Sequence, residues 1–559
     1  MGKGIQQNAL STDVLVIGGG MAGMIAALKA KQGGVEVICL DKGIVGWAGQ
    51  VPTGGGMVTV CESEAEMENW AKWISEEGGY INNQEWSEIF ATEGYPRFLE
   101  MDKWACPIIK DTSGKIILYP REKMYKILLC DPRKLLISIK KKAAEIGVKF
   151  IDRMNIVEFM KDENRVIGAY GFDLDSSEFR AFVAKETIIA HGSCNYKVRK
   201  LFTMNNGEGV MAAFNVGAEM LDAEFGNSYG YSAKYYDTFG RGHSYKFFIN
   251  NRGEKIVDKY DISEAQDVYY KVVSAMGQET RKGNGPIWLD LTMATREEIS
   301  SIRSETKMAG NMWVILPRDG RDPIKEKMEW VPILTGKQGA IRVDTKCKTS
   351  VDGLWAAGDA ISLGSAWTGA LAPGNMPGSG IPFAVVSGFR AGDFAARSAA
   401  EVPPLRGVRN SEINKMKEEL FRPLGKKSGK DSGEAIYQIQ EVVYPLEYNF
   451  FRREDRLKEG LKKIEEVKSS LPDLTAKDSH DLAKCHQARS MAVCAEMTFR
   501  AALLRTETRS AHIREDYPNT DNKNWLKWIV IRGNERTMEL STEPVPITKY
   551  RYKPEGSAA

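Results

Sequence analysis

Gly18, Gly20 and Gly23 stand at G-x-G-x-x-G spacing inside "VIGGGMAGM", directly after one apolar run and directly before another. Glycine at the first position permits a tight turn, at the second lets backbone approach a pyrophosphate, and at the third lets a helix lie close on a strand. The phosphates of a dinucleotide would rest on the start of that helix, at Met21 and Ala22, where unpaired N–H groups and the helix dipole attract negative charge. Asp41 follows 23 residues after Gly18, at the end of "VEVICLDK", where a carboxylate can accept the hydroxyls of an adenosine ribose. A lone glycine fingerprint is weak; with this acid behind it, the pattern predicts dinucleotide binding.

A second glycine-rich stretch, "KGIVGWAGQVPTGGGMVTV", runs from Lys42 to Val60. Two flexible loops so close together cost conformational entropy unless something fills the space between them. Far downstream, "DGLWAAGDAI" at Asp352 to Ile361 carries glycine and acid, Gly358 and Asp359, after a short apolar run. "ETIIAHGSCNY" ends another run on Ala190, His191, Gly192 and Ser193.

The elements that would position these residues follow from period and punctuation. "DVLVIGGGMAGMIAALKAKQGGVEVICLDKG" reads as β-α-β: a strand over Asp13 to Ile17, a helix to Gln32, and a second strand after a Gly-Gly break. Residues 1–225 form the first part of the nucleotide-binding domain. Residues 226–335 turn aromatic and polar and are expected as an inserted domain, and residues 336–400 return to the first domain. Residues 401–524 are charged and helix-periodic, as in "SEINKMKEELF", and 525–559 form a tail with short strand-like runs. The expected fold class is an α/β two-dinucleotide (Rossmann-like) domain with an inserted α+β capping domain and a C-terminal helical domain.

Composition excludes several functions. The chain has 559 residues, 43% of them apolar and 27% charged, with a net charge of +3, which gives no case for nucleic acid. No apolar run is long enough to span a membrane, and "MGKGIQQNALSTD" lacks the apolar core of a signal peptide, so a cytoplasmic protein is expected, free or docked on a membrane-bound complex. Its eight cysteines are scattered without a C-x-x-C pair, so this chain has no visible means of holding a metal or an iron–sulfur cluster.

Three fingerprints in this order resemble two-dinucleotide-fold flavoproteins and imply FAD. Over nearly its full length the chain resembles the flavoprotein subunits of succinate dehydrogenase, fumarate reductase and L-aspartate oxidase, and the alpha subunit of adenylylsulfate reductase. "NNGEGVMAAFNVGAEMLDAEF", "GPIWLDLT" and above all "ARSMAVCAEMTFRAALLRTETRSAHIREDYPNTDNKNWLK" carry the resemblance. It implies FAD contacts at Lys42, Gly43, Trp47, Ala48, Gly49, Gly54 and Gly55 in the second loop, at Ala190 and Gly192, and at Gly358, Asp359, Ser379 and Ile381. It also implies an inserted capping domain and a ferredoxin-like iron–sulfur partner, alongside a small-molecule substrate or further redox subunits. In the dehydrogenases of this family a histidine of the second loop bonds covalently to the flavin. No histidine precedes His191, and the corresponding place falls at or near Trp47, so noncovalent FAD is expected.

The pattern breaks where the family holds dicarboxylates. "EFGNSYGYS", "ILTGKQGA" and "GNMPGSG" lack the family's histidines and arginine, with Met376 in the arginine's place, and "VVSAMGQE" sets Ser274 where the proton-delivering arginine belongs. Two carboxylates need several fixed cations, so succinate and fumarate chemistry are not expected. Replacement catalytic groups are Lys271, one helical turn before Ser274, and Arg241 and His243 of the inserted domain. An adenylylsulfate-reductase-like enzyme and an electron relay without its own substrate are the alternatives. His512 and Arg514 read as structural.

Overall fold

A computed structural model describes residues 9–54, 56–121, 125–197, 205–226, 229–234, 242–262, 269–300, 324–334, 339–362 and 379–555. Its central sheet is built on β1 (Ala9–Ile17), whose Val14–Ile17 half is fully apolar and buried between two layers. Helix α1 (Met21–Gln32) follows at once and returns the chain to β2 (Val37–Leu40), parallel to β1. With β3 (Lys149–Ile151), β4 (Met154–Asp162), β5 (Arg165–Asp173) and β6 (Phe179–Ile189), the strand order is β3-β2-β1-β6-β5-β4. Pairing is parallel from β3 to β6 and antiparallel across β6, β5 and β4. The first strand starts before the apolar run: Ala9–Thr12 pair with Ala181–Ala184, because β6 offers a backbone ladder that does not need apolar side chains.

Further helices flank the nucleotide half. α2 (Glu64–Glu77) opens on a capping box from Ser63 and Glu66. α3 (Pro132–Glu145) opens on Asp131, whose carboxylate accepts from the N–H groups of Arg133 and Lys134, and buries Leu135, Leu136, Ile139 and Ala143 on one face. α4 (Glu208–Asn215) lies beyond β6.

The cap is a four-stranded antiparallel sheet, ordered β7-β10-β9-β8, of β7 (Tyr229–Ala233), β8 (Phe248–Ile249), β9 (Ile287–Leu289) and β10 (Met328–Leu334), with α5 (Tyr269–Arg281) packed on it. Tyr231 packs edge-on to Phe248 at 5.0 Å and near Trp330, while Tyr229 donates to the Val443 and Tyr444 carbonyls. Tyr235 and Tyr236 lie outside the described residues. The chain then re-enters the first domain through β11 (Leu354–Ala356), parallel to the Thr187–Ile189 end of β6, and α6 (Gly380–Glu401), which packs on α1. Helices α7 (Asn410–Phe421), α8 (Ser432–Val443), α9 (Glu454–Ser470) and α10 (Ser479–Leu504) form the C-terminal bundle. A hairpin of β12 (Lys527–Gly533) and β13 (Met538–Pro544) closes the chain. No described helix is long and apolar enough to cross a membrane.

Candidate cofactor site

The β1–α1 turn is shaped by two glycines that cannot be replaced without backbone collision. Gly18 has φ of +114°, and a side chain there would meet the Ala190 carbonyl oxygen at 2.2 Å; one on Gly23 would meet the Gly18 oxygen at 1.8 Å. Gly20 is different. A side chain there would find nothing nearer than the Ala48 oxygen at 3.6 Å and the Gly49 Cα at 3.8 Å. Between Gly20 and the Ala48–Gly49 backbone lies a narrow slot, wide enough for a methyl group, with bare main chain on both walls. α1 begins at that slot, and no side chain caps it. Its unpaired N–H groups and dipole are therefore directed at the mouth of the slot, where a pyrophosphate would rest.

The second glycine-rich loop is fastened to the first. Val45 packs where a Gly19 side chain would be, and the Gly46 N–H donates to the Gly19 carbonyl at 2.9 Å. Asp152 accepts from the Val45 N–H at 2.8 Å, and Lys140 donates to the Val45 carbonyl at 2.7 Å. Asp41 anchors the same corner, accepting from the Gly19 N–H at 2.7 Å and from the Gly43 N–H at 2.6 Å. Each carboxylate oxygen keeps a lone pair for a ribose hydroxyl. Loss of surrounding water raises the Asp41 pKa, and the two backbone donors oppose that rise.

The later fingerprints arrive at this turn too. Gly358, with φ of +67°, faces the Ala22 Cβ at the distance where its own side chain would clash, and its N–H donates to the Ser387 hydroxyl at 2.9 Å. α6 reaches it through Ser379, buried at its start, and the half-buried Ile381, with Gly388 pressed on the Ala22 carbonyl. Asp359 is half-buried one residue on. Of the expected second-loop contacts, Lys42 is turned aside into an ion pair with Glu208 at 2.5 Å, Trp47 is half in solvent, and Gly55 lies outside the described residues.

Sequence reasoning missed two neighbours. His191 follows Ala190 directly, its backbone nitrogen 2.9 Å from where a Gly18 side chain would sit. Its Nδ1 is buried with no hydrogen-bond partner, and burial pushes its pKa down to about 4, so the ring is neutral. Glu208, in α4, is held ionised by Lys42 although burial opposes it. The signal for both was adjacency: His191 lies within the Ala190–Gly192 fingerprint, and Glu208 is the acid of "NGEG". A glycine slot and an uncapped helix on one turn fit a dinucleotide cofactor; the His191 Nδ1 is turned from that slot toward Gly209 at the start of α4.

The nominated catalytic groups are less concentrated. Lys271, in α5, stands 4.0 Å from Glu77 at the end of α2, across the cap–nucleotide-domain junction. Burial raises the Glu77 pKa, and Lys271 opposes the rise. Ser274 accepts from Gln278 at 3.2 Å. Arg241, the side chain of His243, and Met376 lie outside the described residues. All eight cysteines are buried and free, and among the described residues no three His, Cys, Asp or Glu side chains converge to hold a metal.

Comparison with known proteins points to FAD as the dinucleotide. The family model for the FAD binding domain matches residues 13–375, and the model for the fumarate reductase flavoprotein C-terminus matches residues 440–558. An uncharacterized FAD-dependent oxidoreductase of Methanocaldococcus jannaschii is 25% identical over 95% of this chain and 98% of its own length. The fumarate reductase flavoprotein subunit of Helicobacter pylori is 23% identical over 97% of this chain and 86% of its own length. Among solved structures, an E. coli quinol fumarate reductase chain superposes with a TM-score of 0.86 at 18% identity, covering 98% of this chain and 99% of that one. Adenylylsulfate reductase from Archaeoglobus fulgidus gives 0.80 at 20%, covering 97% of each. The chain belongs to the family of FAD-binding oxidoreductase flavoproteins that includes the fumarate reductase and succinate dehydrogenase flavoprotein subunits.

Proposed function

We propose that this chain is the flavoprotein subunit of a redox enzyme that holds FAD noncovalently and moves electrons between a small-molecule substrate and a ferredoxin-like iron–sulfur subunit, and that the substrate is neither succinate nor fumarate. The carrying observation is on α5, where Ser274 is engaged by neutral Gln278 and a nearby cation, Lys271, is directed at Glu77. A guanidinium that would clamp a carboxylate is replaced there by a hydroxyl.

FAD, when bound, supplies hydride and one-electron chemistry. The chain would bind and orient it, the start of α1 at Gly20 holding the pyrophosphate, Asp41 the ribose and the Lys42–Val60 stretch the flavin end. With Trp47 in the place of a tethering histidine, these contacts alone retain it. Proton delivery is assigned to Lys271, whose proton would be restored through Glu77, with Arg241 and His243 as alternatives. The division into residues 1–225 with 336–400, 226–335, 401–524 and 525–559 belongs to the same proposal, as does a cytoplasmic site of action. The neutral Ser274–Gln278 pair also favours a second reading, in which the flavin is only a relay inside a larger complex.

Anaerobic assay of the holoprotein with reduced methyl viologen and fumarate tests the proposal. Each missing charged contact removes about a hundredfold in rate, so turnover at background is expected, and acid precipitation should leave all flavin in the supernatant. Robust fumarate reduction, as the names of several relatives would suggest, overturns the substrate assignment; flavin that stays with the pellet overturns the noncovalent one.

A further inference from the structure

Directly after Asp41 stands a cation, Lys42, and the fold draws it away from the ribose corner. Its Nζ lies 2.5 Å from Oε1 of Glu208, the first residue of α4. Glu208 is the fixed member of this pair: its side chain is 6% exposed, and its Oε2 accepts from the Asn206 N–H at 3.1 Å. The ring of His191 covers the next residue so closely that a side chain on Gly209 would meet Nδ1 at 2.7 Å, so the start of α4 cannot shift toward it. Burial alone would raise the Glu208 pKa; Lys42 overcomes that and keeps the carboxylate ionised. Lys42 is the movable member, a compact charge on a flexible four-carbon stem, and among the described residues Glu208 is its only ion-pair partner.

At the end of the second strand of a dinucleotide-binding β-α-β unit, an acid accepts the hydroxyls of the adenosine ribose, and a cation nearby instead accommodates a phosphate on that ribose. This chain carries both kinds of residue side by side, and it offers one. Asp41 is fastened in the corner by the Gly19 and Gly43 N–H groups at 2.7 and 2.6 Å. Its neighbour is spent on α4. A phosphate on the ribose would therefore face the Asp41 carboxylate while the adjacent ammonium is turned from it.

We propose that Glu208 sets the selectivity of the adenosine end of the cofactor site: by holding Lys42 it excludes a ribose that carries a phosphate and leaves Asp41 to select one that carries hydroxyls. Glu208 acts through Lys42 and is a positioning residue. The inference rests on the proposed role of Asp41 at the ribose, and it adds which side chain decides between ribose and phosphoribose.

The test uses the full-length chain, freed of flavin by dialysis against bromide and shown to take up FAD again. The probes are ADP-ribose and 2′-phospho-ADP-ribose, which differ by one phosphate on the adenosine ribose, and calorimetry gives both affinities. Wild type should bind ADP-ribose at least about tenfold more tightly than its phosphorylated counterpart. Glu208→Gln, which frees the ammonium, should bind 2′-phospho-ADP-ribose about tenfold more tightly than wild type does, with ADP-ribose unchanged within about threefold. A gain for one probe alone is a change that a structural loss does not produce. The gain should shrink at high salt and vanish in Glu208→Gln/Lys42→Met. Equal binding of the two probes by wild type overturns the proposal, as does a Glu208→Gln variant that gains nothing or weakens both probes alike, or a gain that survives in the double variant. Should Glu208→Gln not be recovered folded, Lys42→Met decides: it should keep the wild-type ratio of the two affinities, and a ratio shifted about tenfold against the phosphorylated probe would show that Lys42 already serves the ribose. If Asp41→Asn binds ADP-ribose as tightly as wild type, the ribose assignment itself falls and the selectivity with it; the other failures leave that assignment standing.

Discussion

The cofactor cradle and the seam that joins the nucleotide domain to the C-terminal signature are both crowded with groups able to bind something, and they differ in what is left over. In the seam, Arg505 is fully buried and spends its donors inside the protein, on Glu224 at 2.7 Å, Glu507 at 3.0 Å and the Trp525 and Lys527 carbonyls. Arg509 grips Glu507 with two parallel bonds and donates to the Gly79 carbonyl; Arg514 grips Asp516 in the same way. His512 donates from Nε2 to the Arg505 carbonyl, which leaves Nδ1 to accept from Arg452 and fixes the ring as neutral. The cradle instead presents an uncapped helix and a slot of bare backbone. The cations of the seam are fully engaged, and what is left over there is carboxylate, since Asp222 Oδ2 and Glu224 Oε2 are buried without a hydrogen-bond partner among the described residues; what is left over in the cradle is backbone donors at a helix start.

Breaking the seam should have the largest effect. Arg505→Met leaves Glu224, Glu507 and Asp222 without their shared cation in the interior, a loss of about 3 to 5 kcal/mol. The expected outcome is a large fall in melting temperature or a failure to recover soluble protein. Arg505→Lys should not rescue it, because an ammonium cannot serve four partners from the guanidinium plane. A melting temperature near that of the wild type would mean that the seam relaxes or takes in water.

The cradle sharpens the contrast through two glycines three residues apart. Gly23→Ala drives a methyl group into the Gly18 carbonyl, so fold and flavin should both suffer. Gly20→Ala meets nothing closer than 3.6 Å, so the apoprotein should melt within about 0.5 kcal/mol of the wild type. Its flavin absorbance per protein after gel filtration should nevertheless fall, because the methyl group projects into the slot. Equal flavin retention in Gly20→Ala and wild type would remove the slot from the cofactor site.

Much of this contrast was legible beforehand, and the reason is physical. The glycine positions, Asp41 and the helix ending at Gln32 are local, set by turn geometry and a repeat of 3.6, and the structure places each where the spacing predicts. The strand over Ala9–Thr12 was not visible, because its partner is about 170 residues away and its own side chains are not apolar enough to announce it. The seam was anticipated only as structural at His512 and Arg514. That Asp222 and Glu224 complete it depends on contacts across nearly three hundred residues, which no spacing encodes, whereas Glu507 stands two residues from both Arg505 and Arg509. Lys271 illustrates the same limit: helical register put it beside Ser274, but its partner, Glu77, comes from another domain.

A smaller effect on stability than in the seam is expected in the cap, where one carboxylate is as fully partnered as Arg505 is. Glu279 is buried, which alone would raise its pKa, yet Tyr260 and Asn250 at 2.6 Å, Lys259 at 3.2 Å and Asn284 at 3.0 Å donate to it and hold it at about 2. Its unfolded value is the ordinary 4.5, so as pH falls the unfolded chain takes up this proton first. The stabilisation is therefore complete above pH 4.5 and is lost as the medium is acidified toward the folded value, not at alkaline pH. Glu279→Gln keeps the shape and removes the charge-assisted bonds. It should cost about 1 to 2 kcal/mol near neutrality and progressively less in acid, so melting curves of variant and wild type should converge as pH is lowered from 7 to 3. A constant gap between the two curves over that range would show that the Glu279 charge is not what those four donors hold, and the parallel between cap and seam would fail.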